Sequence, residues 1–353
     1  MLKKPIRNAA SMIVLARDAS KSSRFDYKIL TFTRSEKTSI FDNTLCFPGG
    51  QLHDSDESPS WTSFFKHNKV PSEQLRRRTE VTKPFIYDPQ GNNKIEREIS
   101  LRLAAIRETF EELGIALCSP ASDTSKSSPF SDYFHSKDCD IPFWQKQVHN
   151  SHETLMNFCD QFGVVPNITG VYERSVWLSP IFKKILKRFT TAVFITMLDS
   201  VPECHPEEHE VHDYLWLTPD EIYKGQQNDK LFLPPHLFYE LHRFLDCTSI
   251  DEIAKYAKQR DGQSLPLIYP IFYILKDSLA MVFPGDDLYP KNIYFYEKNY
   301  DTRRFSDKTY DEIMIGCRNF CRAEMELLHS KRFLCNIDDG LLRLKSEEVI
   351  KFC

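Results

Sequence analysis

The sequence predicts an α+β fold, a mixed sheet with helices on both faces. Three features carry that reading. Short runs rich in β-branched and aromatic residues (11–16, 28–33 and 188–198) read as core strands. A third early strand, 44–47, ends at Pro48-Gly49-Gly50, a sharp turn. The run 99–115 places Leu101, Leu103, Ala104, Ile106, Phe110 and Leu113 at helical spacing, and Gly114 supplies its stop.

The remaining elements follow from the same signals. Polar residues 20–24 join the first two strands. Residues 57–98 are mixed and polar and read as a surface insertion, partly helical near 61–67, with a basic run at Arg76, Arg77 and Arg78. Residues 119–137 are rich in Ser and Asp without periodicity and read as a mobile loop. Residues 143–162 read as helical, and 175–178 as a strand. Residues 210–217 lead to Thr218, which is placed to cap a helix with Pro219 at its first position. Pro234-Pro235 opens a helix to 245, and another spans 250–260. Strands are expected at 267–274 and 279–283, then a Pro284-Gly285-Asp286-Asp287 turn and a helical tail from about Tyr310.

The helix at 99–115 carries the chemistry. Glu108, Glu111 and Glu112 lie at i, i+3 and i+4, so the helix turns all three carboxylates to one side. Such a cluster repels itself unless a cation sits among its members, and hard oxygen donors favour Mg²⁺ or Mn²⁺. A plain acidic surface is the ordinary alternative for any one Glu-Glu pair. A second acidic stretch, His205-Pro206-Glu207-Glu208-His209-Glu210, invites a zinc reading. Pro206 interrupts the helical turn that reading needs, and an acidic mobile loop over the helix is preferred.

Composition bounds the rest. The 353 residues carry a net charge of −4, which argues against extended nucleic-acid binding. No apolar run approaches the roughly 20 residues that span a bilayer. The 26 Phe and 15 Tyr favour a folded chain. The ten cysteines form no Cys-x-x-Cys motif, so structural zinc is not expected and a reducing compartment is. Cys317 and Cys321 stand i, i+4 on the expected tail helix. The basic start, residues 1–8, is better read as leading into the first strand than as a removable leader. Lys351-Phe352-Cys353 is not a Ser-Lys-Leu type terminus.

Gly50, Asp56 six residues on, and Arg107-Glu108-x-x-Glu111-Glu112-x-Gly114 together resemble the two halves of the signature of Nudix hydrolases. Three departures stand out. Asp56 replaces a Glu, Thr109 fills an aliphatic slot, and about forty residues separate the halves. In the family the first carboxylate pairs with the signature arginine, here Arg107, and the shorter Asp would need a shifted backbone. The resemblance implies a Nudix α-β-α sandwich over residues 8–246, with 57–98 inserted in the signature and 247–353 as a C-terminal extension packed on it. The segments around Arg34-Ser35, Phe47-Pro48-Gly49-Gly50 and Phe283–Tyr289 are similar to the coenzyme A diphosphatase branch.

That branch implies an enzyme cleaving coenzyme A or acyl-coenzyme A to 3′,5′-ADP and (acyl-)4′-phosphopantetheine with Mg²⁺ or Mn²⁺. By the same resemblance Glu108, Glu111, Glu112 and the Gly50 carbonyl are metal ligands. Glu111, Arg107 and Glu210 are catalytic, and Arg34 binds substrate phosphate. Glu207 and Glu208 remain rivals of Glu210. Family likeness alone suggests a peroxisome or mitochondrion. The alternatives are another nucleoside diphosphate substrate, such as NADH or ADP-ribose, or a catalytically weak Nudix domain used as a sensor. Asp56 and Thr109 keep the last one open.

Overall fold

A computed structural model of the chain describes residues 6–20, 23–34, 44–75, 83–88, 94–123, 128–151, 154–181, 187–265, 267–295, 300–326 and 329–337. Ser35 and the Arg76–Arg78 run lie outside them. In chain order the strands are β1 (Arg7–Arg17), β2 (Tyr27–Arg34), β3 (Leu45–Cys46), β4 (Gly49–Gln51), β5 (Cys118–Pro120), β6 (Val164–Pro166) and β7 (Tyr172–Leu178). They continue as β8 (Phe189–Leu198), β9 (Val211–Leu217), β10 (Leu267–Ile268), β11 (Ile271–Ile274), β12 (Leu279–Val282), β13 (Cys321–Glu326) and β14 (His329–Cys335). The helices are α1 (Ser60–His67), α2 (Ser72–Leu75), α3 (Arg97–Leu113), α4 (Ile141–Asn150), α5 (Thr154–Phe162), α6 (Pro219–Gln227), α7 (Pro235–His242) and α8 (Ile250–Arg260).

The main sheet runs β10-β7-β8-β1-β2-β3, with β9 also on β2 and β4 also on β1. Its spine is β1, parallel to β8 from Arg7↔Phe189 to Ala16↔Leu198. The other edge of β1 is divided. Residues 15–17 pair with β2, whereas Ala9, Ala10 and Ser11 pair with Gln51, Gly50 and Gly49. Between these partners the Met12 amide donates to the Pro48 carbonyl at 2.8 Å. The sheet therefore forks at the Pro-Gly-Gly turn, and the turn lies under α3.

Alternation along β1 feeds two cores. Met12, Val14 and Ala16 join the layer beneath α3, α1, α4 and α5. Ile13 and Leu15 join the opposite layer with α6, α7 and α8. This is a mixed sheet between two helical layers, the α+β class predicted. Thr218 and Glu221 form the expected capping box of α6, with Pro219 in the first turn. Gly114 closes α3 in the left-handed conformation, φ 71°.

Three readings need correction. First, the apolar spacing over 99–115 predicts an amphipathic helix with one exposed face, whereas every residue of α3 except Glu98 is buried. The insertion supplies part of the cover. Trp61, Phe64 and Phe65 of α1 enter the main core rather than lying on the surface. Second, residues 128–137 are pinned. The Ser131 amide donates to the Met197 carbonyl at 2.7 Å and its hydroxyl to the Gly170 carbonyl at 2.9 Å. Third, the described part of the tail, residues 310–326 and 329–337, holds no long helix. After one short 3₁₀ turn, Glu312–Met314, it forms β13 and β14, which extend a separate sheet of order β11-β12-β13-β14. Among the described residues no helix is long and apolar enough to cross a membrane.

Candidate functional site

The site begins at the glycine turn. A side chain at Gly49 would stand 2.6 Å from the Ala10 carbonyl oxygen and 2.7 Å from the Ser11 Cα, so the turn could not lie this close to β1. The Gly49 amide donates to Glu112 Oε2 at 2.8 Å. At Gly50 a Cβ would overlap the Glu108 carboxylate. The two glycines thus let α3 lay two carboxylates directly on the backbone of β4.

Arg107 organises the other side of α3. Its guanidinium is fully buried, and each of its five N–H groups has an acceptor. Nε and Nη2 donate to the two Asp56 oxygens at 2.8 and 2.9 Å, and Nη2 also to the Gln51 carbonyl at 3.0 Å. Nη1 donates to Glu108 Oε1 at 3.0 Å and Glu111 Oε1 at 2.9 Å. The shorter Asp therefore makes a full bidentate pair.

The backbone explains the Asp56 pairing. Residues 53–57 wind into a tight turn, with Asp56 N to His53 O at 3.1 Å and Glu57 N to Asp54 O at 3.2 Å. The insertion leaves and returns at one point. Glu57 holds Lys94 and Arg97, each at 2.6 Å, and its carbonyl accepts from the Ile95 amide at 3.0 Å.

Burial makes this site electrostatically short of positive charge. Asp56, Glu108, Glu111 and Glu112 are each less than 9% exposed. Arg107 is fully committed, and Arg34 stands 4.0 Å from Glu112 with its Nε on Cys46 Sγ at 3.3 Å. Burial, reinforced by Glu111, pushes Glu108 up to about 7 against the pull of Arg107. Burial and the neighbouring Glu108 push Glu112 well above the usual carboxylate range, against Arg34 and the Gly49 amide. A divalent cation at Glu108 and Glu112 fits this donor set, since hard oxygens lacking a counter-charge are what such ions take. Glu111 is turned differently, to Arg107 and to His149, whose Nδ1 lies 3.7 Å from Oε2. Among the described residues no three acidic, His or Cys side chains already stand in a ligand cage.

The acidic loop is stitched to the end of α3. Glu207 N donates to the Glu112 carbonyl and His205 N to the Leu113 carbonyl, both at 2.9 Å. These bonds satisfy carbonyls that the helix end leaves open. Gln145 Nε2 ties the same junction, reaching Glu111 O at 3.2 Å and His205 O at 2.7 Å. The expectation of a mobile loop is thus corrected. Glu207 is engaged by the His209 and Glu210 amides at 2.9 Å each, and Glu208 is exposed. Glu210 is half-buried and acts on both Arg34 and Glu112.

The structure therefore gathers Gly50, Arg107, Glu108, Glu111, Glu112, Arg34 and Glu210 around one end of α3. Sequence reasoning passed over Gln145, His149 and Cys46. Gln145 and His149 are i, i+4 on α4, a polar pair whose spacing was visible. Cys46 gave no signal, because its role depends on the β2–β3 register, Phe32↔Cys46.

Comparison with known proteins agrees with this geometry. Residues 6–244 match the model of the NUDT19 Nudix domain. The chain is 30% identical over 312 residues to acyl-coenzyme A diphosphatase NUDT19 of Xenopus laevis, covering 81% of each protein. It is 26% identical over 355 residues to the Gallus gallus protein of the same name, covering 94% of this chain and 92% of that one. A NUDIX hydrolase structure from Alicyclobacillus acidocaldarius overlays with a TM-score of 0.50 at 16% identity, covering 71% of this chain and 96% of that one. The last shows likeness of fold. Matched over most of its length, with its signature glycines, arginine and glutamates assembled at the end of one helix, the chain belongs to the NUDT19 Nudix family of hydrolases.

Proposed function

We propose that this enzyme hydrolyses the diphosphate of coenzyme A or acyl-coenzyme A, giving 3′,5′-ADP and (acyl-)4′-phosphopantetheine, with Mg²⁺ or Mn²⁺. The substrate reading is supported by relatives that carry the name acyl-coenzyme A diphosphatase. The observation that carries the chemistry is the pair Glu108 and Glu112, buried on a glycine turn with too little positive charge nearby. A divalent ion bound there would screen the diphosphate and acidify water.

The chain's own residues then take distinct roles. Glu108 and Glu112, with the Gly50 carbonyl, are the ligand set we assign. Arg107 fixes Glu108 and Glu111 by donating to both from one nitrogen. Glu111, held on one oxygen by Arg107 and placed beside His149 on the other, is our candidate to accept the proton of the attacking water. Arg34 is our candidate to meet a substrate phosphate oxygen, since its Nη2 lies only at the edge of ion-pair distance from Glu112. Glu210 is preferred over Glu207 and Glu208 to complete the site, because Glu207 already caps its own turn.

The intact Asp56–Arg107 pair weighs against a catalytically silent sensor. The test ranks free coenzyme A, a short acyl-coenzyme A, NADH and ADP-ribose by kcat/KM at one Mg²⁺ concentration. The two coenzyme A compounds are expected to lie within about two orders of magnitude of each other, because an apolar acyl groove discriminates weakly. NADH and ADP-ribose are expected clearly below both. If either leads, the coenzyme A assignment is wrong.

A further inference from the structure

We propose that Cys321 and Cys335 are a redox-active dithiol that closes to a disulfide across the C-terminal strand pair. The two residues are direct partners in the β13–β14 register, and their sulfurs lie 3.3 Å apart. The type of pairing favours closure. Asn336 N donates to Phe320 O at 3.0 Å and Phe320 N to Asn336 Oδ1 at 2.7 Å, so the bonds tie 320 to 336 and leave 321 and 335 facing each other as a non-hydrogen-bonded pair. The Cys321 amide accordingly donates elsewhere, to Asp286 Oδ2 at 2.8 Å. Non-hydrogen-bonded partners sit roughly 4.5 Å apart at Cα, inside the range that a disulfide bridges.

The two thiols differ in environment, which assigns their order of reaction. Cys321 is buried at 1% exposure, whereas Cys335 is half-buried. Arg243 Nη2 donates to Cys335 Sγ at 3.3 Å and stabilises negative charge on it. Cys335 is therefore the attacking sulfur. Toward a hydroperoxide, its thiolate takes the terminal oxygen as the O–O bond breaks, releasing an alcohol or water and leaving a sulfenic acid. The Cys321 thiol then attacks that sulfur. The S–O bond breaks, one water leaves with the Cys321 proton, and the S–S bond forms. The net change oxidises two thiols and reduces one peroxide bond. Closure would join the strand carrying Phe333, which packs on Tyr239 and His242 of α7, covalently to its neighbour.

The test treats reduced full-length protein with hydrogen peroxide, alkylates the remaining thiols and maps the peptides. The expected product is one cross-link between the Cys321 and Cys335 peptides, reversed by dithiothreitol. In Cys321→Ser, Cys335 should stop at the sulfenic acid and be trapped by a 1,3-dione. In Cys335→Ser, Cys321 should remain a thiol. The wild-type map alone decides the matter if a serine variant fails to fold. Full alkylation of both residues after peroxide overturns the proposal. So does a cross-link confined to another pair, such as Cys118 and the buried Cys159 beside it.

Discussion

Asp56 grips Arg107 through both carboxylate oxygens, at 2.8 and 2.9 Å, although 51 residues separate them in sequence. Buried ion pairs of this kind cost most when one partner is removed, because the other is left charged in a low dielectric. Arg107→Lys is expected to lose the bidentate geometry and most of the five bonds. Lysine keeps the charge, so the expected loss is that of the unsatisfied buried acceptors, about 1–3 kcal/mol of stability, read from denaturant midpoints. Asp56→Glu should be far milder, since it restores the family residue. Equal stability of Arg107→Lys and wild type would contradict the organising role.

Glu112→Gln separates chemistry from folding. The residue is buried rather than on an exposed face, yet the isosteric amide can still accept from Gly49 N through its oxygen. Removing a charge that repels Glu108 should leave melting unchanged or slightly higher without metal. Turnover should fall by about 10²-fold or more. Near-normal turnover at saturating Mg²⁺ would remove Glu112 from the ligand set.

Gly50→Ala tests the close approach of backbone and carboxylate. The new methyl would displace only the tip of Glu108, a flexible end, so the fold should tolerate it. Displacing a reacting group by about an ångström can cost on the order of 10²-fold in rate. The expected result is a large drop in kcat with a nearly unchanged melting temperature. Unchanged kcat would mean that Glu108 need not sit against the turn.

His242 predicts part of the acid sensitivity. Burial, helped by the adjacent Arg243, lowers its imidazole to about 4. The unfolded chain binds this proton near 6.5, so between 6.5 and 4 the unfolded state holds more protons. The contribution is complete above pH 6.5 and is lost as pH falls toward 4, by at most about 3 kcal/mol. His242→Gln should flatten this portion of the stability profile between pH 7 and 4.5. Parallel profiles for the two proteins would show that His242 does not titrate in this way.

Much of the site was legible because it is local. Helical spacing put Glu108, Glu111 and Glu112 on one helix, and Gly114 ended it where expected. What the sequence hid was the cover over them. Burial of α3 depends on Trp61, Phe64 and Phe65, which arrive from the insertion, and on a loop some ninety residues downstream. The tail misled for a related reason. Cys321-Arg-Ala-Glu-Met-Glu is built largely of good helix formers, so propensity favoured a helix. Pairing with β12 overrode it, burying Cys321, Ala323 and Met325 on one face. Arg322 is buried on the other, where it takes Asp286 at 2.6 and 2.7 Å. That partner lies in the Pro-Gly-Asp-Asp turn, which reads locally as a turn and nothing more.

The most direct test of the proposed activity is release of 3′,5′-ADP from free coenzyme A by purified protein, followed by chromatography with Mg²⁺ and with a chelator. The expected products with Mg²⁺ are 3′,5′-ADP and 4′-phosphopantetheine in equal amounts, and neither forms with the chelator or with Glu112→Gln. No product from wild-type protein with either Mg²⁺ or Mn²⁺, or undiminished product from Glu112→Gln, would contradict the proposed activity.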